Sequence, residues 1–165
     1  MNVIVKPIPA ATKTRPSHVR VRPAKPGDLD ALVALEQDSF RSDRMSRAQY
    51  RHHLYSDSAV VLVASGKTEL SGSAVMFFRL RSRIVRLYSL ATARAARGQG
   101  VGAALLNCAI HVGSQRRCTA MRLEVRTDNA AAIALYVRYG FRQIGSLNAY
   151  YEDGADALRY ERALP

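Results

Sequence analysis

A chain of 165 residues is long enough for one domain whose hydrophobic core folds without disulfides or a metal. Lysine and arginine number 25 against 13 aspartates and glutamates, and the net charge of +12 favours anionic partners such as a phosphorylated ligand, an acidic peptide, ribosomes or nucleic acid. The two cysteines exclude a disulfide framework and lack metal-ligand spacing, so we expect a reducing, cytoplasmic location and no bound metal.

Residues 1–20 contain a short apolar run that Lys6 and several prolines interrupt. Such a run predicts neither a signal peptide nor a membrane span. All six prolines lie at positions 7 to 26 or at 165, so none interrupts the interval between. We therefore expect residues 1–16 to be a flexible lead-in and residues 17–165 to form a single domain with no membrane association.

The sequence of the first half of the domain predicts three strands and two helices. Residues 18–23 alternate basic and apolar side chains, as a strand does. Pro26, Gly27 and Asp28 mark a helix start, and apolar residues at spacings of three and four continue the helix to Phe40. The remaining elements of this half are a second helix over 47–55 after Ser46, and strands at 59–64 and 72–80 joined by a turn at 65–67.

The second half is built around a strand, a glycine-dense turn and a helix. Residues 84–90 are apolar and partly β-branched, residues 94–102 are basic and rich in glycine, and the helix that follows ends near Gly113. A strand at 120–126, a helix at 130–139 that stops at Gly140, and strands at 141–150 and 158–162 complete the chain. This order predicts an α+β fold, with a mixed, mostly antiparallel sheet of six to seven strands flanked by four helices.

The glycine turn has the features of an anion site. Gly98, Gly100 and Gly102 lie at alternate positions, where a missing Cβ lets the backbone approach a ligand closely. Unpaired N–H groups at a helix N-terminus favour a pyrophosphate, and Arg94 and Arg97 add positive charge there. The alternative is a helix N-terminus that happens to be rich in glycine.

Two other nucleotide-binding patterns also contain a glycine-rich turn before a helix. The Walker pattern GxxxxGK[ST] is absent, because the Gly-Lys-Thr at 66–68 has Val61 where the pattern needs its first glycine. Gly98, Gly100 and Ala103 do fit the dinucleotide pattern G-x-G-x-x-G/A, with Glu124 as its later acidic residue. The spacing argues against a dinucleotide fold, because residues 92–97 separate the strand from the first glycine.

The element order and two motifs resemble the Gcn5-related N-acetyltransferase (GNAT) superfamily. The run RGQGVG at 97–102 fits the acyl-coenzyme A signature Q/R-x-x-G-x-G/A of that superfamily. The run LEVRTDNAAAIALYVRYGF at 123–141 resembles the RimI-type enzymes, which acetylate the N-terminal amine of a ribosomal protein. The resemblance covers roughly residues 18–164 and implies acetyl-coenzyme A as the acetyl donor.

The resemblance also implies roles for individual residues. Glu124 stands at the position of the general base, and Tyr136 at that of the general acid. The implied cofactor contacts are the backbone of Leu90, Ala91 and Thr92 along the pantetheine arm, Arg97, Gly98, Gln99, Gly100, Val101, Gly102 and Ala103 around the pyrophosphate, and Asn129 further along.

The chain departs from the family pattern at three places. Ala93 and Arg94 stand where an acidic residue and a proline are usual, and Tyr88 stands where many RimI-type enzymes have an aspartate or asparagine. Residues 40–55 lack an aromatic proline-tryptophan pair associated with the ribosomal-protein enzyme. These departures concern the acceptor more than the donor.

Acyl transfer to an amine needs a base to remove a proton, hydrogen-bond donors for an oxyanion, and an acid for the leaving thiolate. Glu124 could act as the base directly or through water, unless it is a salt-bridged surface glutamate. A tyrosine pKa near 10 suits Tyr136 as the acid, unless the ring belongs to the core. Candidate acceptor contacts are Glu36, which interrupts an apolar helix stripe, together with Phe40, Tyr150 and Tyr151.

We expect an acetyl-CoA-dependent N-acetyltransferase that acts by direct attack in a ternary complex on a protein or peptide N-terminal amine, with a ribosomal protein as one candidate acceptor. One alternative is a small-molecule acceptor such as a polyamine, amino acid or aminoglycoside. Another is a basic ribosome- or RNA-binding module without turnover, although the aromatic-basic pattern of an RNA-recognition motif is missing and no stable nucleic-acid binding is expected.

Overall fold

The computed structural model describes residues 19–66 and 69–165. The predicted lead-in at 1–16, His18 and part of the turn at 65–67 lie outside the described residues. The first half contains strand β1 (Arg20–Pro23), a short 3₁₀ turn (Pro26–Asp28), helix α1 (Leu29–Ser39), helix α2 (Arg47–Leu54) and strands β2 (Ala59–Ser65) and β3 (Leu70–Phe77). Helix α2 begins where the sequence predicts, because Ser46 and Gln49 form a capping box.

The second half contains β4 (Ile84–Thr92), a 3₁₀ turn (Arg94–Ala96), α3 (Val101–Gln115), β5 (Ala120–Arg126), α4 (Ala130–Arg138), β6 (Arg142–Leu147) and β7 (Ala157–Ala163). The predicted order of strands and helices is confirmed. The strand expected over 141–150 is wrong at its end, because Tyr150 and Tyr151 both donate their N–H groups to the Ala155 carbonyl and so belong to a loop. The strand expected over 72–80 likewise ends early, at Phe77, before a turn in which Arg81 has φ 64°.

The seven strands form one sheet in the order β1-β2-β3-β4-β5-β7-β6. Every neighbouring pair is antiparallel except β4 and β5, which are parallel. The parallel pairing covers only Ile84–Arg86 against Ala120–Arg122. Because β4 continues to Thr92, its second half has a partner on one side only, and the sheet forks there.

Helices cover both faces of the sheet and enclose two cores. The larger core lies against α3 and α4 and includes Leu87, Leu105, Leu106, Met121 and Phe141. The smaller core lies against α1 and α2 and includes Leu32, Tyr50, Val61, Val63 and Val75. Among the described helices, none is both long enough and apolar enough to span a bilayer. The helices hold the two halves of the sheet in place while the fork between β4 and β5 stays open.

Candidate active site

The fork exposes backbone groups of β4. The Ala93 N–H donates to the Ser71 carbonyl at 2.8 Å, and hydrogen-bonded pairs alternate along an antiparallel ladder. Leu90 and Thr92 therefore direct their N–H and C=O groups away from β3, towards the side where β5 has diverged. A β-bulge at Tyr88 precedes them, because Val75 pairs with Ser89 and the next residue, Met76, pairs with Leu87.

The glycine turn that follows β4 presents free amides. Gly98 has φ 75° and Gly100 has φ 82°, left-handed conformations that favour glycine. Helix α3 makes its first turn with the Ala104 N–H bonded to the Gly100 carbonyl at 3.0 Å. The N–H groups of Gly98, Gly100, Val101, Gly102 and Ala103 have no protein acceptor within residues 19–66 and 69–165, whereas Gln99 donates to Ala96.

Positive charge accompanies these amides. Arg94 and Arg97 lie in the same turn, and neither forms an ion pair with any residue that the structure describes. The N-terminal end of α3 adds the positive end of its dipole. Free amides, guanidinium groups and a helix N-terminus together fit a diphosphate.

A cleft of about 700 Å³ opens at the fork and contains the two predicted catalytic residues. Glu124 lies on β5 and Tyr136 on α4, and both line this cleft. The four predicted acceptor residues, Glu36, Phe40, Tyr150 and Tyr151, line it as well, as do Leu90 and Asn129. The fold therefore brings side chains from α1, β4, β5, α4 and the β6–β7 loop to one place.

Glu124 is held by two arginines that the sequence reasoning missed. Its side chain is only 5% exposed. The Oε2 atom accepts from Arg86 Nε at 3.0 Å and Nη2 at 2.9 Å, and Oε1 accepts from Arg159 Nε at 3.0 Å. A carboxylate oxygen has two acceptor positions, so one position on Oε1 remains for another donor.

The two arginines that flank Glu124 on β5 form ion pairs with other carboxylates. Arg122 pairs with Glu161 at 2.6 Å, and Arg126 pairs with Asp153 at 2.9 Å. Neither arginine forms an ion pair or hydrogen bond with Glu124. The arginines that do contact Glu124 come from β4 and β7.

Tyr136 lies between the cleft and the larger core. Its side chain is 7% exposed and its ring packs edge-on against Phe141. Burial, with a smaller contribution from Tyr151, raises the pKa of the Tyr136 phenol well above its usual value. The hydroxyl has no hydrogen-bond partner in the described chain. A protonated phenol with a free O–H is thus available at the cleft.

Glu36 is buried at the α1 side of the cleft. It is 2% exposed, and its oxygens accept from the Met45 N–H at 2.9 Å and the Tyr50 hydroxyl at 2.8 Å. Burial raises the pKa of Glu36. Of the three alternatives for this residue, namely snorkelling, pairing with an arginine or lying at a cleft, the structure supports the cleft position.

The loop between β6 and β7 closes another side of the cleft. Tyr150 accepts a hydrogen bond from Arg86, and the guanidinium of Arg126 lies 5.0 Å from the ring centre of Tyr151. Burial raises the pKa of Tyr151 to about 12. The two tyrosines pack edge to face, so each supports the position of the other.

A polar link joins this loop to the α1–α2 segment. The Glu152 N–H donates to Asp43 Oδ2 at 3.2 Å, and the Asp43 N–H donates to Glu152 Oε2 at 3.4 Å. Asp43 has φ 54°, a conformation that aspartate tolerates better than most residues. The link fixes two loops that are 109 residues apart in sequence, and only the tertiary structure reveals it.

Ser89 is another site residue that the sequence did not indicate. Its Oγ atom is buried without a hydrogen-bond partner, and Ser89 lines the cleft beside the bulge at Tyr88. Buried polar atoms normally have a partner, so an orphaned hydroxyl on a cleft wall fits a bound ligand. No group of three or more His, Cys, Asp or Glu side chains in the described residues is arranged to hold a metal ion.

A mixed sheet that forks beside a glycine turn and a helix N-terminus is the architecture of an N-acetyltransferase. Residues 29–141 match the family model described as the acetyltransferase (GNAT) family, and the chain belongs to this family. The resemblance to RimI-type enzymes that the sequence suggested is confirmed by the relatives.

Two curated relatives and one solved structure illustrate the similarity. N-alpha-acetyltransferase 30 of Schizosaccharomyces pombe is 30% identical over 122 residues, which cover 72% of this chain and 81% of that protein. The putative ribosomal protein bS18-alanine N-acetyltransferase of Bacillus subtilis is 28% identical over 139 residues, covering 84% and 91%. The crystal structure of the ribosomal-protein-S18-alanine N-acetyltransferase from Escherichia coli superimposes with a TM-score of 0.78 at 26% identity, covering 88% and 94%.

Proposed function

We propose that this N-acetyltransferase takes its acetyl group from acetyl-CoA and transfers it to the N-terminal amine of a protein or peptide, by direct attack in a ternary complex. The observation that carries the proposal is the position of Glu124 and Tyr136 on one cleft, which the open backbone of β4 reaches at Leu90, in a fold that also leaves amides of the glycine turn free. The cytoplasmic location expected from the cysteines stays a prediction.

The proposed donor site runs from β4 to the start of α3. Leu90 and Thr92 offer backbone groups at the fork, with Ala91 between them in the ladder to β3. Gly98 and residues 100–103 offer amides to a diphosphate, with Arg97 beside them, and Asn129 lies on the cleft at the N-terminus of α4. When bound, acetyl-CoA supplies a thioester whose acetyl group is activated towards amines and whose thiolate leaves as CoA.

Glu124 and Tyr136 have complementary roles in the proposal. The remaining acceptor position on Glu124 Oε1 receives a proton from the amine, directly or through a water. Tyr136 keeps its proton throughout the neutral range because burial raises its pKa, and it donates that proton where a thiolate departs. The backbone N–H groups of Leu90 and Thr92, which face the fork, are the proposed donors to the developing oxyanion.

The lining of the cleft supports an amine acceptor. Five carboxylates line it, Glu36, Asp43, Glu124, Asp128 and Asp153, against three guanidinium groups, Arg41, Arg86 and Arg126. The cleft is therefore locally more acidic than the chain, whose net charge is +12. Glu36, Phe40, Tyr150 and Tyr151 are the proposed acceptor contacts, and the named activities of the relatives favour a protein N-terminus.

The same acidic lining also favours the second candidate function, acetylation of a small cationic amine. The net charge of the whole chain had argued against a cationic acceptor, but it does not describe the cleft. A screen of N-terminal peptides, lysine peptides and polyamines, read by thiol release, separates the two. Turnover confined to small amines would replace the proposed acceptor and leave the donor site intact.

The catalytic roles are tested with matched pairs of variants. Glu124→Gln and Tyr136→Phe should each lower kcat by about 10²-fold or more, with acetyl-CoA affinity nearly unchanged. Glu161→Gln is the control for Glu124, because Glu161 also pairs with an arginine but does not line the cleft. Tyr139→Phe is the control for Tyr136, because it removes a hydroxyl near the same helix, one that bonds to Asn107.

The donor site is tested separately, by calorimetric titration with acetyl-CoA. Binding in the micromolar range is expected. Absence of heat at millimolar ligand would end the proposal, and wild-type turnover in both Glu124→Gln and Tyr136→Phe would remove the catalytic assignments alone. No turnover with any amine, in a protein that binds acetyl-CoA, would favour a module that has kept the fold without the activity.

A further inference from the structure

Five arginines form a surface at the end of the sheet that lies away from the glycine turn. They are Arg79, Arg81 and Arg83 on the β3–β4 turn, and Arg116 and Arg117 at the C-terminal end of α3, here called the arginine end. All five side chains are exposed. Segments 78–83 and 115–119 contain no aspartate or glutamate, so the surface is locally free of negative charge from its own segments.

Backbone contacts bring the two segments together. The Arg83 carbonyl accepts from the Thr119 N–H at 2.7 Å, and Arg83 Nε donates to the Arg117 carbonyl at 3.3 Å. The guanidinium of Arg116 lies 4.4 Å from the ring centre of Phe78, and Arg116 Nη1 donates to the Asp57 carbonyl at 3.0 Å. Residues that are more than thirty positions apart in sequence thus share one surface.

Three of these arginines form no side-chain contact with the described residues that would explain their presence. Arg83 and Arg116 hold the two segments together, whereas the side chains of Arg79, Arg81 and Arg117 form no ion pair or hydrogen bond with residues 19–66 or 69–165. Arg81 has φ 64° and Arg117 has φ 59°, conformations in which glycine or asparagine is less strained. The local backbone conformation therefore favours glycine or asparagine over arginine at both positions.

The arginine end is separate from the proposed donor and acceptor sites. None of its residues lines the active-site cleft. Helix α3 has 15 residues, so about 22 Å separates the amides at its first turn from Arg116 and Arg117 beyond its last turn. A partner at the arginine end leaves the cleft open, and this inference is independent of the proposed function.

We propose that the arginine end binds the phosphodiester backbone of a nucleic-acid duplex, RNA or DNA. Guanidinium groups present planar, bidentate donors that match phosphate oxygens. The aromatic ring here, Phe78, is covered on one face by Arg116, so the surface lacks an open platform for stacking unpaired bases. Leu80, which is 93% exposed, is the one apolar side chain among these arginines on the β3–β4 turn. Binding of this kind is electrostatic and independent of sequence.

This proposal revises the expectation that the chain has no stable nucleic-acid binding. That expectation rested on the missing aromatic-basic sequence pattern, which describes recognition of single strands. The two turns that make up the arginine end are far apart in the sequence, so composition alone did not reveal their clustering. The net charge of +12 predicted an anionic partner without a place for it.

The test measures duplex binding by the full chain as a function of salt. The probes are a labelled 20-base-pair RNA duplex and the DNA duplex of the same sequence, read by fluorescence anisotropy between 50 and 200 mM KCl. The variant Arg79→Gln/Arg81→Asn/Arg117→Asn removes three charges. It places asparagine at the two positions with positive φ, a conformation that asparagine tolerates. The control Arg51→Gln/Arg138→Gln/Arg142→Gln removes three charges from other surfaces outside the cleft.

The expected result is that the wild type and the control bind with similar affinity and salt slope. The arginine-end variant should bind at least about 10-fold more weakly, with a log–log salt slope smaller by about 2 to 3, because each lost phosphate contact reduces the slope by about 0.9. The duplex that the wild type binds more tightly identifies the source of the backbone. An unchanged melting temperature and unchanged acetyl-CoA binding confirm that the variant is folded.

Three outcomes would overturn the proposal. The first is that the wild type does not bind either duplex at 50 mM KCl. The second is that the arginine-end variant and the control lose the same amount of duplex affinity. The third is that polyglutamate competes for binding as strongly as RNA of equal charge. Should the triple variant fail to fold, the single variant Arg117→Asn takes its place, with an expected slope decrease of about 0.9. A slope unchanged in that variant would count equally against the proposal.

Discussion

Replacing Gly72 by alanine tests how closely the first turn of α3 is packed against the forked sheet. A Cβ at this position would lie 2.7 Å from the Ala91 carbonyl oxygen, 2.7 Å from Val101 Cγ1 and 2.9 Å from Leu105 Cδ1. Favourable contacts between carbon atoms lie at about 3.5–4.0 Å, so all three contacts are repulsive. The carbonyl belongs to the β3–β4 ladder and Val101 starts the helix, so neither can yield as a flexible side chain would.

The expected cost is in the upper part of the range for overpacking, about 2–3 kcal/mol. At about 3 °C per kcal/mol for a domain of this size, the melting temperature should fall by about 6–9 °C. Because relief of the clash moves the first turn of α3 away from β4, the affinity for acetyl-CoA should fall as well. Both quantities are measurable on purified protein, by calorimetric melting and by titration.

Gly145→Ala is the matched control, because this glycine also lies in a strand, and an added Cβ would have no heavy atom within 4 Å. It should melt within about 2 °C of the wild type. If Gly72→Ala melts within about 1 °C of the wild type, the close approach of α3 to the sheet is wrong. If it melts lower but binds acetyl-CoA normally, the link between this packing and the donor site is wrong.

Three further predictions concern the glycine turn and the carboxylates of Glu36 and Asp28. Gly98→Ala adds a Cβ that meets nothing within 4 Å but strains the backbone at φ 75° by about 1 kcal/mol, so the turn should shift and acetyl-CoA affinity should fall about 5-fold by titration. The melting temperature should fall by no more than about 3 °C, and unchanged affinity would refute the role of this turn. Burial raises the pKa of Glu36 in the folded state, so the stability that its protonated form contributes is present below the ordinary pKa of 4.5 and is lost as pH rises through the raised pKa. In urea unfolding, the wild type should therefore lose stability relative to Glu36→Gln as pH rises over that range. A difference in stability that stays constant with pH would contradict this prediction. The hydrogen bond from Arg22 lowers the pKa of Asp28 in the folded state, so Asp28→Asn should lower the free energy of unfolding by about 1 kcal/mol at pH 7. This difference should disappear as pH falls below 3.8, and a difference that does not change with pH would disprove the prediction.

Local chemistry explains why the elements could be predicted from the sequence. The strand at 120–126 was predicted at its observed bounds, since its side chains alternate between buried and half-buried positions. The left-handed conformations of Gly98 and Gly100 follow from the absence of a Cβ. The end of the strand expected over 141–150 was wrong, because the hydrogen bonds of Tyr150 and Tyr151 to Ala155 outweigh the apolar pattern of the segment.

The surroundings of the predicted catalytic residues could not be predicted in the same way. Glu124 faces Arg159 because of the β5–β7 register, and it meets Arg86 because β4 and β5 pair up to that residue before the sheet forks. Its neighbours in sequence, Arg122 and Arg126, pair with other carboxylates instead. Register and strand order depend on the whole sheet, and alternation along one strand carries no information about them.

The sequence by itself determined the order of strands and helices, the glycine turn and the family, because each depends on residues that are close together in the chain. Only the tertiary structure decided that Glu36, Glu124, Tyr136 and the β6–β7 loop share one cleft, and that two arginine-rich turns share one surface. The physical reason is that these contacts join segments from different strands and helices. Their positions depend on how the sheet pairs and forks and on how the helices pack against it.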